Sequence, residues 1–347
     1  MNILSLFDGI SCGRVALDRA GVPVTNYFAS EIDKHAITVS RKNWPGIVQL
    51  GDVTKLTDWF IQNVLPRIDV VIAGSPCQGF SFAGKQLNFN DPRSKLFFDF
   101  VRIWKACKLR NPDCKFLLEN VPMKGEYRDV ITSYVGVSPV MINSNLVSAQ
   151  NRRRWYWTDI CGIQQPADRG IYLKDIVLPD ALPLTYTEAR TEEAKRIRSE
   201  SMKAGRDFSP RRGKQLVVRT DGKSNCLTAT FSEKEHMVAL GDTDTGCIQI
   251  GVANGINGHD LLRRIYSVEG KAPTLTAICG GNQEKKIAVD ELHWRKLHPI
   301  ECERLQGLPD NYTSGISDTQ RYKSLGNGWQ VDTVAHIFQN LKPQIIK

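Results

Sequence analysis

Runs of apolar residues separated by Gly-rich turns dominate the first half of the chain. Four of these runs are predicted strands, at residues 3–7, 27–30, 48–53 and 69–73. The last is apolar without alternation, as expected of a parallel strand that is covered on both faces. Apolar residues at helical spacing run from Val15 to a stop at Gly21, and again over residues 96–109. Alternating strands and helices predict an α/β fold with a mainly parallel sheet.

The second half of the chain has a different pattern. A charged amphipathic helix is predicted over residues 186–204, followed by short β-like runs with Gly, Asn and Asp over residues 215–289. Two more helices are predicted at residues 291–306 and 331–341. We therefore expect two domains, one formed by residues 1–165 with 291–347, and a β-rich insert at residues 166–290.

The insert contains one internal similarity. Residues 221–229 parallel residues 269–277, and each copy follows a β-rich run. Two copies are too few for a solenoid. They are either paired hairpin units or two turns that share common turn chemistry.

Three predicted strand ends carry Gly or acidic residues. The first strand runs into Asp8-Gly9-Ile10-Ser11-Cys12-Gly13, where glycines let the backbone approach a ligand at a helix N-terminus. Glu31 ends the second strand, 22 positions beyond Gly9, where an acid usually holds ribose hydroxyls. Asp52 ends the third and could meet an adenine amino group. Glu31 could instead be an ordinary charge near a helix start, but the three ends together favour a cofactor cleft.

The fourth strand leads into Gly74-Ser75-Pro76-Cys77, which places a thiol where ligands bind in open α/β sheets. A cysteine is otherwise most often a small buried hydrophobe. A fifth predicted strand, residues 116–118, ends in Glu119-Asn120-Val121, and this carboxylate is a candidate general acid. Glu119 alone could equally be a helix cap or a surface charge.

Composition limits the class of protein. With 347 residues, 41% hydrophobic and 24% charged, the chain has the composition of a globular protein. Its formal charge of +9 is either a solubilising surface or a sign of a polyanionic partner. No apolar run reaches membrane-span length and no signal segment is present, so we expect a cytoplasmic protein. Nine cysteines without a Cys-x-x-Cys pair indicate neither a disulfide framework nor a metal site.

Taken in order, these motifs resemble those of the cytosine-5 DNA methyltransferase family. Residues 7–13, Pro76-Cys77-Gln78 and Glu119-Asn120-Val121 resemble its first, fourth and sixth motifs. Residues 150–154 (Gln-Asn-Arg-Arg-Arg), 295–309 and 326–331 resemble the eighth, ninth and tenth. The likeness covers about residues 3–160 and 291–340. It implies a Rossmann-like sheet dependent on S-adenosylmethionine, with a small β-rich target-recognition domain inserted.

The resemblance implies a set of catalytic residues. Cys77 would add to carbon 6 of cytosine, since a thiolate is nucleophilic enough near neutral pH. Glu119 would protonate or hydrogen-bond ring N3. Arg152 and Arg154 would supply fixed positive donors to the base carbonyl and to neighbouring catalytic groups.

The same resemblance implies S-adenosyl-L-methionine as the cofactor. The residues expected to contact it are Phe7, Gly9, Glu31, Asp52, Pro76, Leu96, Asn327 and Trp329. Trp329 is bulkier than the small aliphatic residue often found at its position in the family, so we expect the pocket to be shaped differently there.

The implied substrate is a cytosine flipped out of double-stranded DNA. Residues 78–95 then form the loop that closes over DNA, and polar loops of the insert enter a groove. Candidate DNA-binding side chains, each of which could also be a phosphate contact or a plain surface residue, are Gln78, Lys85, Arg93, Arg263, Arg264, Asn282 and Gln283.

The leading hypothesis is a sequence-specific DNA (cytosine-5-)-methyltransferase that protects DNA from restriction. We expect a monomer, nucleoid-associated when bound to DNA, with a cognate restriction endonuclease as the candidate partner. A tRNA cytosine-5 methyltransferase and an inactive DNA-binding homologue are the alternatives. Amino-group methylation would need an Asp/Asn-Pro-Pro-Tyr tetrapeptide, which the chain lacks. The recognition sequence cannot be read from the motifs.

Overall fold

The structure, a computed structural model, describes residues 1–74, 95–178, 185–186, 246–253, 256, 259–277, 283–289 and 293–341. Its main sheet has seven strands: β1 (Asn2–Leu6), β2 (Asn26–Ser30), β3 (Val48–Gln49), β4 (Val70–Gly74), β5 (Lys115–Asn120), β6 (Val140–Asn143) and β7 (Arg153–Thr158). They lie in the order β3-β2-β1-β4-β5-β7-β6, and β7 runs antiparallel to both neighbours. The predicted α/β class is confirmed.

Helices lie on both faces of this sheet. In chain order they are α1 (Cys12–Arg19), α2 (Lys34–Asn43), α3 (Asp58–Asn63), α4 (Lys95–Arg110), α5 (Gly125–Val135), α6 (Asp260–Arg263), α7 (Pro299–Leu305), α8 (Asp318–Asn327) and α9 (Val331–Phe338). Within the described residues, no helix has both the length and the apolar character needed to cross a membrane.

Side-chain alternation along β4 divides the core into two layers. Val70 and Ile72 belong to one buried cluster, which includes apolar residues of α1 and α9. Val71 and Ala73 belong to a second cluster, which includes α4 and α5. All four side chains are fully buried. Because successive strand residues face opposite sides of a sheet, an unbroken apolar run is what two covered faces require.

A second, smaller sheet confirms the predicted β-rich part. Its strands are β8 (Thr185–Tyr186), β9 (Gln249–Val252), β10 (Arg264–Tyr266), β11 (Lys286–Ala288) and β12 (His293–Lys296). They lie in the order β8-β12-β11-β10-β9. β10 and β11 are parallel, and the other pairs are antiparallel.

Three predicted elements differ from the structure. The helix predicted over 291–306 is wrong in its first part, because residues 293–296 pair with β11 and β8, and the helix begins only at Pro299. Tyr186 lies in β8 rather than in a helix, and residues 187–204 lie outside the described residues. The third strand ends at Gln49, since Gly51 has a left-handed φ of 75° and Asp52 caps a 3₁₀ turn that follows.

One stretch of the insert packs directly on the main sheet. The Ala272 amide donates to Ala149 (2.7 Å), and its carbonyl accepts from the Asn151 amide (2.8 Å). The Thr274 hydroxyl donates to the Asn151 carbonyl at 2.6 Å. The second copy of the internal similarity, residues 269–277, therefore extends the turn before β7. The first copy, residues 221–229, lies outside the described residues.

Candidate active site

The carboxyl ends of four adjacent parallel strands meet at one edge of the main sheet. In the order β2-β1-β4-β5 these ends carry Glu31, Gly9, Gly74 and Glu119. Ligands in open α/β sheets bind at this edge, beyond the strand ends. The sheet order thus brings together residues that are up to 110 positions apart in the chain.

The loop after β1 has an unusual backbone. Phe7, Gly9 and Ser11 all have left-handed φ angles, of 57°, 59° and 61°. Two of these residues carry a side chain, for which this conformation is disfavoured. On the side of Gly9 where a Cβ would stand, there is no atom within 4 Å. The loop therefore presents open backbone at the sheet edge.

Glu31 fastens this loop to the end of β2. Its Oε2 accepts the Gly9 amide at 2.8 Å, and its Oε1 accepts the amides of Ile32 (2.7 Å) and Asp33 (2.8 Å). A carboxylate oxygen accepts two hydrogen bonds, so Oε1 is fully used and Oε2 can accept one more donor. Glu31 is thus rigidly oriented and still able to receive one hydroxyl donor through Oε2.

Asp52 lies at the neighbouring edge, after β3. Its Oδ1 accepts both the backbone amide (2.9 Å) and the hydroxyl (2.8 Å) of Thr54. These bonds, the backbone one foremost, lower the pKa of Asp52. The carboxylate is therefore ionised at neutral pH, and its Oδ2 remains for a donor group.

Ile32 is an exposed apolar residue at the strand ends that sequence reasoning missed, and it is a further candidate for the site. Its side chain is 75% exposed, although it stands at a strand end between Glu31 and Asp33. Phe7, Leu50 and Leu96 pack on the nearby edge of the second core cluster. An apolar residue flanked by two acids after a strand was the available signal. Together these side chains supply apolar walls beside the acids.

Trp329 fits the site because neighbouring positions are glycine. A Cβ on Gly74 would stand 2.7 Å from the indole Nε1, and one on Gly13 would stand 3.4 Å from the indole Cζ3. A Cβ on Gly74 would also lie 3.4 Å from Glu119 Oε2. The indole therefore lies against the end of β4 and the first turn of α1, beside the Glu119 carboxylate. Asn327, the last residue of α8, is solvent-exposed and stands two positions before Trp329 in the chain.

Glu119 and Arg154 form an ion pair in this edge. β4 and β5 place Gly74 opposite Glu119, and β5 and β7 place Glu119 opposite Tyr156. Arg154 lies two residues before Tyr156 on the same face of β7, so it reaches Glu119 diagonally. Its Nε lies 2.8 Å from Glu119 Oε1, and both side chains are 11% exposed. Arg154 also donates from Nη1 to the Arg153 carbonyl.

Arg152 is buried and already holds three carbonyls. Its Nη1 donates to Leu275 (3.1 Å), and its Nη2 donates to Gly328 (2.8 Å) and Gly326 (3.4 Å). Burial lowers the pKa of Arg152 to about 10. The positive charge of Arg154 lowers this pKa further, and the negative charge of Glu119 acts in the opposite direction. The guanidinium thus ties the turn before β7 to the insert and to the turn before α9.

The remaining predicted site residues divide into two groups. Arg263 donates from Nε to the Ala253 carbonyl, and Arg264 Nε lies 3.8 Å from Asp260. These two arginines and Gln283 belong to the second sheet or its turns, apart from the strand ends of the main sheet. Outside the described residues lie Cys77, Pro76, Gln78, Lys85, Arg93 and Asn282. The chain leaves β4 at Gly74, three residues before Cys77.

Comparison with known proteins places this geometry in a family. Residues 1–343 match the family model for C-5 cytosine-specific DNA methylase. Type II methyltransferase M.HgiCI of Herpetosiphon aurantiacus is 36% identical over 424 aligned positions, covering 98% of this chain and 97% of that protein. Type II methyltransferase M.HhaI of Haemophilus parahaemolyticus is 29% identical, covering 98% and 94%.

Solved structures show the same fold. The methyltransferase EhMeth of Entamoeba histolytica superposes with a TM-score of 0.64 at 15% identity, covering 99% of both chains. At this identity the likeness concerns the fold alone.

Gly74→Ala is expected to weaken cofactor binding about tenfold, because the new methyl group displaces the Trp329 indole. The same overpacking should lower the free energy of unfolding by about 1–3 kcal/mol. Calorimetric titration and thermal unfolding measure both effects. Trp329→Val in the same chain should restore binding by making room. Gly46→Ala is the matched control, since its site is open. Normal binding by Gly74→Ala alone would contradict the packing described.

Arg152→Lys is expected to lower stability by about 2 kcal/mol or more, because an ammonium cannot reach all three buried carbonyls. Urea unfolding measures the change. Arg153→Lys, at an exposed neighbouring position, should stay within about 0.5 kcal/mol of the unsubstituted protein. Equal stabilities of the two variants would show that Arg152 does not hold these segments together.

Proposed function

The chain belongs to the C-5 cytosine-specific DNA methylase family, and on that basis we propose that it is a sequence-specific DNA (cytosine-5-)-methyltransferase acting through Cys77. One observation supports this assignment of the catalytic residues. Glu119 stands opposite Gly74, where the chain leaves β4 toward Pro76-Cys77-Gln78, and it is paired with Arg154. A carboxylate next to the strand end from which the chain continues to a cysteine suits addition to a cytosine ring.

Cytosine carbon 5 is a weak nucleophile, and the side chains of the site would activate it. The Cys77 thiolate adds to carbon 6, and the charge that this creates spreads to ring N3 and the base carbonyl. Glu119, at the end of β5, would act as the general acid and donate its carboxyl proton to N3. After carbon 5 has been methylated, loss of its proton expels Cys77 and restores the aromatic ring.

We propose distinct roles for the two arginines. Arg154 orients the Glu119 carboxylate and offers positive charge to the base carbonyl. Arg152 acts on neighbouring groups, since its donors face Leu275, Gly326 and Gly328. Its contribution is to fix the turn that carries Trp329.

The residues at the strand ends fit S-adenosyl-L-methionine as the methyl donor. When bound, this cofactor supplies an electrophilic methyl group on a positively charged sulfur. Glu31 Oε2 keeps one lone pair for a ribose hydroxyl, and Asp52 Oδ2 can accept from the adenine amino group. The remaining contacts would be apolar walls and backbone from Phe7, Gly9, Ile32, Pro76, Leu96, Asn327 and Trp329.

The DNA would lie between the two parts of the chain. A flipped cytosine must reach Cys77 and the methyl donor from opposite faces, so the loop containing Gln78, Lys85 and Arg93 would close over it. Arg263, Arg264, Asn282 and Gln283 would read or position the DNA. We assign residues 1–165 and 291–347 to catalysis, and residues 166–290 to target recognition.

Its biological setting follows from the type II methyltransferases among its relatives. We propose that the protein is a cytoplasmic monomer, nucleoid-associated on DNA, which modifies sites that a cognate restriction endonuclease would cut. Sedimentation of the pure protein tests the monomer.

Cys77→Ser is expected to reduce methyl transfer at least about a thousandfold while leaving cofactor affinity within about threefold, because a hydroxyl is a much poorer nucleophile than a thiolate. Transfer of labelled methyl to duplex DNA and equilibrium cofactor binding give the two readouts. Cys161→Ser, at an exposed position away from the strand ends, is the control. Near-normal turnover by the Cys77 variant would refute the mechanism.

Labelled methyl groups are expected on duplex DNA and not on tRNA when both are offered together. Bisulfite sequencing of DNA from cells expressing the protein would then locate the methylated cytosines. Label on tRNA alone would favour the RNA alternative. Cofactor or DNA binding without any transfer would favour an inactive DNA-binding homologue.

A further inference from the structure

Asp8 lies inside the proposed cofactor loop, yet no step of the proposed reaction uses it. It follows β1 and stands between Phe7 and Gly9, two of the residues with left-handed backbone. Its amide donates to the Ser30 carbonyl of β2 (3.1 Å), and its carbonyl accepts the Ser11 amide (3.1 Å). Asp8 is therefore connected to both sides of the loop through its backbone.

The Asp8 carboxylate accepts three hydroxyl groups from three parts of the fold. Oδ1 accepts from Ser5 of β1 (2.6 Å) and from Tyr27 of β2 (2.7 Å), and Oδ2 accepts from Ser11 in the loop. Hydrogen bonds to an ionised carboxylate are stronger than those between neutral groups. Side-chain bonds thus hold Asp8 against both strands and against the start of α1.

The anchoring extends from the loop to α2 and β3. The Ser11 hydroxyl also meets Ser40 of α2 at 2.7 Å, and Gln49 of β3 donates to Ser40 at 3.2 Å. Ser11 has a left-handed φ of 61°, which costs free energy for a residue with a side chain. Its bonds to Asp8 and Ser40 offset that cost and keep the loop in this form.

We infer that Asp8 is a positioning residue for the proposed cofactor site: it holds residues 7–11 in the conformation in which the Gly9 amide meets Glu31, and so sets cofactor affinity. This inference rests on the proposed function, since it deepens the role of the same site. Asp8 acts through Gly9 and Glu31, whose bond joins the loop to the predicted ribose contact.

The charge on Asp8 changes within an accessible pH range. Burial raises the pKa of Asp8 to about 6; bonds from Ser11, Ser5 and Tyr27 oppose this rise, and the nearby Glu31 charge adds to it. Cys12 and Tyr312 are the other titratable groups that face it, and burial raises the pKa of both. Around pH 6, the Asp8 carboxyl therefore changes its charge, whereas Cys12 and Tyr312 stay neutral.

Protonation of Asp8 should weaken cofactor binding. Above pH 6 the ionised carboxylate accepts all three hydroxyls, and the loop is held. Below pH 6 the protonated carboxyl must itself donate, so one of these bonds is lost and cofactor affinity should fall. Stability should respond in the opposite direction, since a carboxyl with a raised folded-state pKa destabilises the fold as pH rises from 3.8 to about 6.

Equilibrium binding of S-adenosyl-L-methionine between pH 5 and pH 8 tests the proposal on the full chain. The unsubstituted protein should bind about fivefold more weakly at pH 5 than at pH 7.5, with a midpoint near 6. Asp8→Asn should bind about fivefold more weakly at pH 7.5 and show no step, because an amide does not titrate. Its melting temperature at pH 7.5 should be equal or higher, whereas a merely structural role would lower stability and affinity together.

Two matched variants control for general effects. Asp18→Asn, an exposed acid on α1, should bind like the unsubstituted protein at every pH. Glu31→Gln should bind more weakly but keep the step, at a lower midpoint because a like charge beside Asp8 is gone. The proposal is overturned if Asp8→Asn binds the cofactor as tightly as the unsubstituted protein does, or if its affinity still changes near pH 6.

Hydrogen exchange without cofactor separates this proposal from the proposed function. The Gly9 and Ser11 amides should lose protection below pH 6 in the unsubstituted protein, after correction for intrinsic exchange, and be less protected at pH 7.5 in Asp8→Asn. Absence of cofactor binding in every variant would count against the proposed function. Identical protection of both amides in the two proteins would count against the role of Asp8.

Discussion

The pairing of Gly74 with Glu119 across β4 and β5 is the constraint on which the site depends. β4 is buried on both faces, so a shift of one residue would turn each apolar side chain into the opposite core layer. The register is therefore fixed by packing along the whole strand. At its end, the absence of a side chain on Gly74 lets the Trp329 indole and the Glu119 carboxylate approach the same point.

A second constraint joins three segments that are distant in the chain. The turn before β7, the insert stretch around Ala272–Thr276 and the turn before α9 are layered on one another. Gly326 packs so closely on Thr276 that any side chain at 326 would overlap its backbone. Arg152 joins the three segments, because it donates to the Leu275 carbonyl in the insert and to the Gly328 carbonyl in the turn before α9. The stretch around residues 272–276 and the turn that carries Trp329 are thus one packed unit at this point.

Charge is distributed unevenly over the molecule. The chain carries a formal charge of +9, which suits a polyanionic substrate. The sheet edge, in contrast, gathers acids: Asp8, Glu31, Asp52 and Glu119. Acidic groups at this edge favour a cationic ligand over phosphate groups.

The sequence by itself indicated the strands β1, β2, β4 and β5, the helices α1, α4 and α9, and the acids near the strand ends, because periodicity and turn residues act over a few positions. It also indicated Glu31, Asp52 and Glu119 through their place at predicted strand ends, and Arg154 through the resemblance of residues 150–154 to a family motif. Only the tertiary structure decided how Trp329 is accommodated, where the donors of Arg152 go, that Ile32 is exposed and that residues 293–296 form a strand. Each of these depends on contacts between segments far apart in the chain, which local patterns do not encode.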